Sequence, residues 1–139
     1  MKIEGTSAIV TGAGSGLGEA VARELARLGA KVAVLDVNAA GAQRVAADIG
    51  GVASACDICD SASVTAALDA ATAAHGVPRI VMNIAGIGTA KRIVGKDGSP
   101  APLEDFERVV RINLIGTYNV SRLAAARIVT QEALDDGER

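Results

Sequence analysis

The residues best suited to chemistry lie in VTGAGSGLGEAV, Val10 to Val21, where glycine occupies positions 12, 14, 16 and 18. Glycine at that density relaxes the backbone at an entropic cost, so a bare main chain must be needed there. An apolar run precedes it and a helix-like pattern follows, the setting in which first-turn N–H groups hold a phosphate. Spacing decides which glycine turn this is. G-x-G-x-x-G does not fit, because its last place falls on Leu17 when counted from Gly12 and on Glu19 when counted from Gly14. G-x-x-x-G-x-G fits at Gly12, Gly16 and Gly18. Gly12 then permits the sharp exit from a strand, Gly16 lets the backbone close on a pyrophosphate, and Gly18 allows close helix–strand packing.

Asp36 ends the run KVAVLD eighteen residues after Gly18, near the ~20 expected of a carboxylate that accepts hydrogen bonds from ribose hydroxyls. A carboxylate there repels a 2′-phosphate, and Ser15 and Val37 bring no cation to offset it. The expected nucleotide is therefore NAD rather than NADP. TGAGSGLG also reads as G-x-G-x-G-x-G, which resembles the first motif of S-adenosylmethionine methyltransferases. Those usually carry an acidic residue two places before the first glycine, where this chain has Val10, and Asp36 suits both families.

Two other groups compete for chemistry. Cys56 and Cys59 form C-x-x-C, but no second cysteine pair exists and His75 is the single histidine. A metal site lacks ligands, and a redox pair should open a helix rather than close the strand-like GVASACD. Two ordinary reduced thiols are expected.

The elements that must position these residues alternate along the chain. Strands are expected at 7–11, 31–36, 52–56 and 79–84. Helices are expected at about 17–28, with Leu17, Val21, Leu25 and Leu28 on one face, at 39–49, and from a cap at Ser61 to His75. Residues 86–102 carry four glycines and two prolines and read as a long loop near a site. A long helix pattern then runs from Leu103 to about Leu134, interrupted by Gly116. That rhythm means a parallel sheet with right-handed crossovers, a doubly wound α/β fold.

Bulk composition agrees. With 50% hydrophobic residues, 22% charged residues and a net charge of −2, the 139-residue chain suits one globular domain. Nothing in it draws nucleic acid or an anionic membrane. Phe106 and Tyr118 are the only residues counted as aromatic, so the core is expected from Ala, Val, Ile and Leu. No targeting segment and no apolar stretch of ~20 residues is visible, so cytoplasm or an organelle matrix is expected.

Four motifs in order, TGAGSGLG (11–18), Asp57 after the third strand, NIAG (83–86) and Asn113 in INLIGT, resemble the short-chain dehydrogenase/reductase family. The resemblance spans nearly the whole chain and implies a Rossmann-like sheet in strand order 3-2-1-4. It implies cofactor contacts from Gly12, Ser15, Gly16, Leu17, Gly18 and Asp36, with Asp57 and the backbone of Ile58 meeting adenine. It also implies that Asn83, Ile84, Ala85 and Gly86 brace the sheet beside the cofactor; Ile84 stands where many relatives have a second Asn. LEDFERVVRINLIGTYNVSRLAA (103–125) after a lengthened loop looks like the type-2 3-hydroxyacyl-CoA dehydrogenase branch. That implies an acyl-CoA or hydroxysteroid-like substrate; Lys91, Arg92 and Lys96 could then face a CoA tail, and a solvated surface loop explains those charges equally well.

The family's catalytic group is an Asn, a Ser and a Tyr-x-x-x-Lys pair. Of these the chain carries Asn113 alone, as a helix-interior Asn that fits a bulge or water site. Tyr118 opens Tyr-x-x-x-Arg with Arg122, but the family has a packing aromatic there and Arg serves poorly as the polarisable partner. Core or interface packing is expected of Tyr118. The resemblance places the Ser, Tyr and Lys beyond residue 139, so 1–139 reads as the NAD-binding Rossmann domain of an NAD-dependent dehydrogenase that works as a homo-oligomer, a tetramer in full-length relatives. A stand-alone nucleotide-binding module is the alternative, and a methyltransferase the third.

Overall fold

The computed structural model describes residues 2–134 and Gly137. Four strands form one parallel sheet: β1 (Ser7–Thr11), β2 (Lys31–Asp36), β3 (Val52–Ala55) and β4 (Ile80–Asn83). Their order is β3-β2-β1-β4, the Rossmann-like arrangement that the family resemblance implied. Helices α1 (Gly16–Arg27), α2 (Ala39–Ile49) and α3 (Ser61–His75) connect the strands. After β4 come α4 (Leu103–Val110), a π-helical stretch Arg111–Gly116 and α5 (Thr117–Ile128).

Alternation along the strands builds two cores. Ala8, Val10, Val32 and Val34 pack against Ala22 and Leu25 of α1 and Ala42 and Val45 of α2. Ile9, Ala33 and Leu35 face the other way, onto Val64 and Leu68 of α3 and Val120 and Ala124 of α5. Each fully buried Val, Leu or Ile side chain among these contributes about 1.5–3 kcal/mol. The core is aliphatic, as expected; Phe106 and Tyr118 are both well exposed. Tyr118 is therefore not a core residue of this chain.

Register sets the position of the site. Thr11 pairs with Leu35 on one side and Asn83 on the other. The glycine turn, Asp36 and the Asn83–Gly86 segment thus leave the sheet at one edge. The chain steps from β1 to β2 on one side and returns to β4 on the other, so a crevice opens beside the carboxyl end of β1.

Several local expectations need correction. Leu17 is 79% exposed and Leu28 39%, so neither belongs to the buried face of α1 that Leu25 anchors. Asp60, not Ser61, caps α3, its side chain accepting from the Ala62 N–H at 2.9 Å. The last helix ends at Ile128, well before Leu134, and it is not continuous α-helix. No helix among the described residues is long and apolar enough to cross a membrane.

Glu19 ties α1 to α2. Its carboxylate accepts from Arg44 at 2.6 and 3.0 Å and from Arg23 at 2.8 and 2.9 Å. Arg23 also reaches Asp48 on α2 at 2.7 Å. Hydrogen bonds from Arg44 and then Arg23 hold the Glu19 carboxyl down at about 2, against an ordinary 4.5. A carboxyl depressed by folding contributes stability that is present above its unfolded value and lost as pH falls through its folded value. The urea midpoint of the chain should therefore drop between pH 4.5 and 2, and the drop should shrink in Glu19→Gln. Equal pH slopes for the two proteins would show that the pair contributes nothing.

Candidate functional site

A cleft of about 450 Å³ lies at the carboxyl edge of the sheet. It is lined by every residue expected to contact the cofactor except Asn83, together with Val37, Cys56, Ile87 and Ile112. The turn between β1 and α1 forms its floor. Gly12 and Gly16 adopt φ of +65° and +55°, which side-chain-bearing residues rarely take. A Cβ on Gly12 would sit 2.7 Å from the Ala85 Cα, and one on Gly18 would run into the Gly12 carbonyl. Ser15 is extended and caps α1 without a side-chain hydrogen bond, so it supplies no side-chain oxygen to the first-turn N–H groups. Such an end favours an anion. Leu17, exposed and adjacent, lines the mouth.

Asp36 is held in place by its neighbours. One carboxylate oxygen accepts from the Gly14 N–H and the other from the Asn38 N–H, both at 2.8 Å. Each oxygen keeps a lone pair for a further donor. At the opposite wall, Asp57 accepts from the Cys59 N–H at 2.8 Å. The Ile58 carbonyl accepts from Asn119 Nδ2 at 2.9 Å, which fixes that stretch of backbone. Gly116 lets the π stretch approach: a Cβ there would lie 2.7 Å from the Ile58 side chain. Burial pushes the Cys56 thiol up to about 11, so it stays protonated and inert at neutral pH. Both cysteines are free thiols. Among the described residues, no group of three His, Cys, Asp or Glu side chains could hold a metal.

Thr11 joins the two halves of the cleft. Its Oγ1 accepts from the Ile84 and Ala85 N–H groups at 3.1 and 3.2 Å, which turns the end of β4 toward the glycine turn. Asn83 sits behind that turn and braces α5, donating to Ser121 Oγ at 3.2 Å. Asn113 lies inside the π stretch. Its Oδ1 accepts from the Ile87 N–H at 2.9 Å and its Nδ2 donates to the Ile87 carbonyl at 2.8 Å. The bulge expected around this helix-interior Asn is present, and its side chain fixes the loop that leaves Gly86. Tyr118 stands apart, and Arg122 is engaged with Asn119 Oδ1 at 2.7 Å and Ser61 Oγ at 2.8 Å.

The family model for short chain dehydrogenase matches residues 6–133. The chain belongs to the short-chain dehydrogenase family. Its relatives include D-threitol dehydrogenase of Mycolicibacterium smegmatis, 38% identical over 92% of this chain and 49% of that protein. Among solved structures, 3-hydroxyacyl-CoA dehydrogenase type-2 of Mycobacterium avium is 39% identical with a TM-score of 0.89, covering 96% of this chain and 53% of that one. The 3-ketoacyl-(acyl-carrier-protein) reductase of Brucella melitensis, solved with NADH, is 40% identical with a TM-score of 0.82, covering 91% and 51%. The chain thus spans about half the length of these proteins. Membership makes it part of an oxidoreductase family acting on small molecules, and the methyltransferase alternative falls away.

Three residues of the site escaped sequence reasoning: Thr11, Asn119 and Arg44. Arg44 donates to the Gly14 carbonyl at 3.1 Å while also pairing with Glu19. Its place on α2, eight residues beyond Asp36, gives no local signal that it reaches the glycine turn.

Proposed function

We propose that the chain is the nucleotide-binding part of a cytoplasmic, NAD-dependent short-chain dehydrogenase. The reaction is hydride transfer between NAD and a secondary alcohol or its ketone. One observation carries this reading: the uncapped amino end of α1 and the Asp36 carboxylate open into the same cleft. The helix end suits the pyrophosphate. Asp36 suits the adenosine ribose, whose two hydroxyls donate where a 2′-phosphate would be repelled. Asp57 and the Ile58 backbone serve adenine, and Ile84, Ala85 and Gly86 line the path toward the nicotinamide. Bound NAD supplies the hydride acceptor; the residues here bind it, orient it and shield it from water. The NADH held by the Brucella melitensis reductase supports the same nucleotide class.

For substrate, the match to a type-2 3-hydroxyacyl-CoA dehydrogenase supports a 3-hydroxyacyl-CoA or a hydroxysteroid-like alcohol. Lys91, Arg92 and Lys96 on the exposed loop would meet a CoA tail, although Lys91 is already paired with Asp105 at 2.5 Å. Asn113 is the family's catalytic Asn in this reading. A second reading, a nucleotide-binding module without turnover of its own, is favoured by the surroundings of Tyr118. It is 67% exposed, and its i+4 partner Arg122 is already spent on α5 and Ser61.

Calorimetric titration of the chain should show tighter binding of NADH than NADPH, and Asp36→Ala should narrow the gap. Tighter NADPH binding by the unmutated chain would sink the assignment of Asp36. The 139-residue chain should not turn over 3-hydroxyacyl or hydroxysteroid substrates. Turnover that Tyr118→Phe abolished would make Tyr118 the proton-transfer group after all.

The enzyme is expected to be a homo-oligomer. Among the described residues β4 pairs only with β1, so its other edge offers unpaired N–H and C=O groups. Phe106, Leu114, Ile115 and Tyr118 add exposed apolar surface on the neighbouring helices. Sedimentation velocity at low micromolar concentration should show self-association; a single 13.9 kDa species with a cooperative melt would contradict it.

A further inference from the structure

Glu19 occupies the first turn of α1, close to where the proposed pyrophosphate would lie. An unneutralised carboxylate there would work against anion binding, yet it is held by two arginines. One of them, Arg44, also donates to the carbonyl of Gly14, whose own N–H binds Asp36. The guanidinium and the proposed ribose-binding carboxylate thus hold the two peptide units that flank the Gly14 Cα. Room at this spot is tight. A Cβ on Gly14 would lie 2.9 Å from the Asp36 carboxyl, and one on Gly41 of α2 would lie 2.9 Å from the Gly14 carbonyl. Gly14 cannot shift without disturbing Asp36, Arg44 or α2.

We propose that the Glu19–Arg44 pair is a second determinant of nucleotide choice: Arg44 is a cation beside the ribose end of the cleft, and Glu19 keeps it from serving a 2′-phosphate. This inference rests on the dinucleotide reading above and deepens it. Glu19, Asp36 and Asp48 carry three negative charges against two positive charges on Arg23 and Arg44, so the cluster is net negative by one. A 2′-phosphate brings up to two more negative charges to the same corner. Removing the Glu19 charge makes the cluster neutral; removing the Arg44 charge makes it net negative by two. One charge acting on a doubly charged phosphate at a separation on the order of 9 Å in a water-like medium changes affinity about fivefold. Exposed charges feel added salt, so the effect should shrink as ionic strength rises.

The test is calorimetric titration of the 139-residue chain with NADH and NADPH, at low and at 0.5 M NaCl. Glu19→Gln should raise the NADPH-to-NADH affinity ratio about fivefold at low salt, and Arg44→Met should lower it by a similar factor. The double variant should return near the unmutated ratio, and high salt should compress all of these shifts. Parallel losses for both nucleotides, with an unchanged ratio, would mean a purely structural ion pair and overturn the proposal. If Glu19→Gln does not fold, the Arg44→Met ratio and its salt dependence decide alone. Binding of neither nucleotide by the unmutated chain would overturn the dinucleotide reading itself, and this inference with it. NADH binding with an unshifted ratio would overturn only the inference.

Discussion

Three backbone segments converge beside the carboxyl end of β1, with no room for a side-chain carbon between them. The Gly12 carbonyl lies against the Cα of Gly18, and the Ala85 Cα lies where a Cβ of Gly12 would have to go. The first contact fixes how closely α1 approaches the strand that feeds it. The second fixes how closely β4 and its exit approach the same turn. Adding one methylene-sized group to a well-packed site typically costs about 1–3 kcal/mol. Here the obstruction is backbone on both sides, which cannot rotate away as a side chain can. Thr11 then secures the convergence by accepting from the two N–H groups that follow β4. The cleft exists because these main chains meet closely and leave α1's amino end open.

Electrostatics complete what the steric constraint begins. The helix end favours negative charge, Asp36 at the end of β2 disfavours it, and the two face one space. A ligand that satisfies both must carry its anionic group in one place and neutral hydroxyls in another. Dinucleotides with free ribose hydroxyls have that distribution. Asp36 is not free to turn away, since its two oxygens already accept from Gly14 and Asn38. Its orientation is built into the fold before any ligand arrives.

Much of this was legible in the chain. The strands are runs of aliphatic residues bounded by polar or glycine positions, and their ends fell within a residue or two of those read from pattern. The glycine spacing and Asp36 led directly to the cleft. What was missed shares one cause: it depends on contacts between elements. Leu17 matches the apolar period of α1, but it sits at the cleft mouth, where nothing covers it. Asp60 and Ser61 are both good caps, and only the observed hydrogen bond separates them. The helix-interior Asn113 signalled a bulge, but its extent over 111–116 leaves no mark on a 3.6-residue period; there Asn113 reaches Ile87 and Gly116 meets Ile58. Arg44 and Asn119 act across to α1 and to Ile58, so no local spacing predicts them.

The weakest part of the structure follows from the same accounting. Every residue of β1 is buried, whereas every residue of β4 is only half-buried. Arg79, just before β4, and Asn83, at its end, each leave a buried polar atom without a hydrogen-bond partner among the described residues. An unsatisfied buried group of this kind costs about 1–3 kcal/mol, more when charged. Both residues lie on the α5 side of the strand, where Arg79 reaches the Glu132 carbonyl and Asn83 reaches Ser121. The sheet therefore loses hydrogen-bond satisfaction at a strand that, among the described residues, pairs on one side alone. Strands β1 and β2, buried on both faces and paired on both edges, hold the glycine turn and Asp36 on the stable side of the fold. The Asn83–Gly86 segment sits on the less stable side and depends on Thr11 and Asn113 to keep its place. The β1–β2 side of the cleft is thus anchored by buried, doubly paired strands, and the β4 side is held by a few polar contacts.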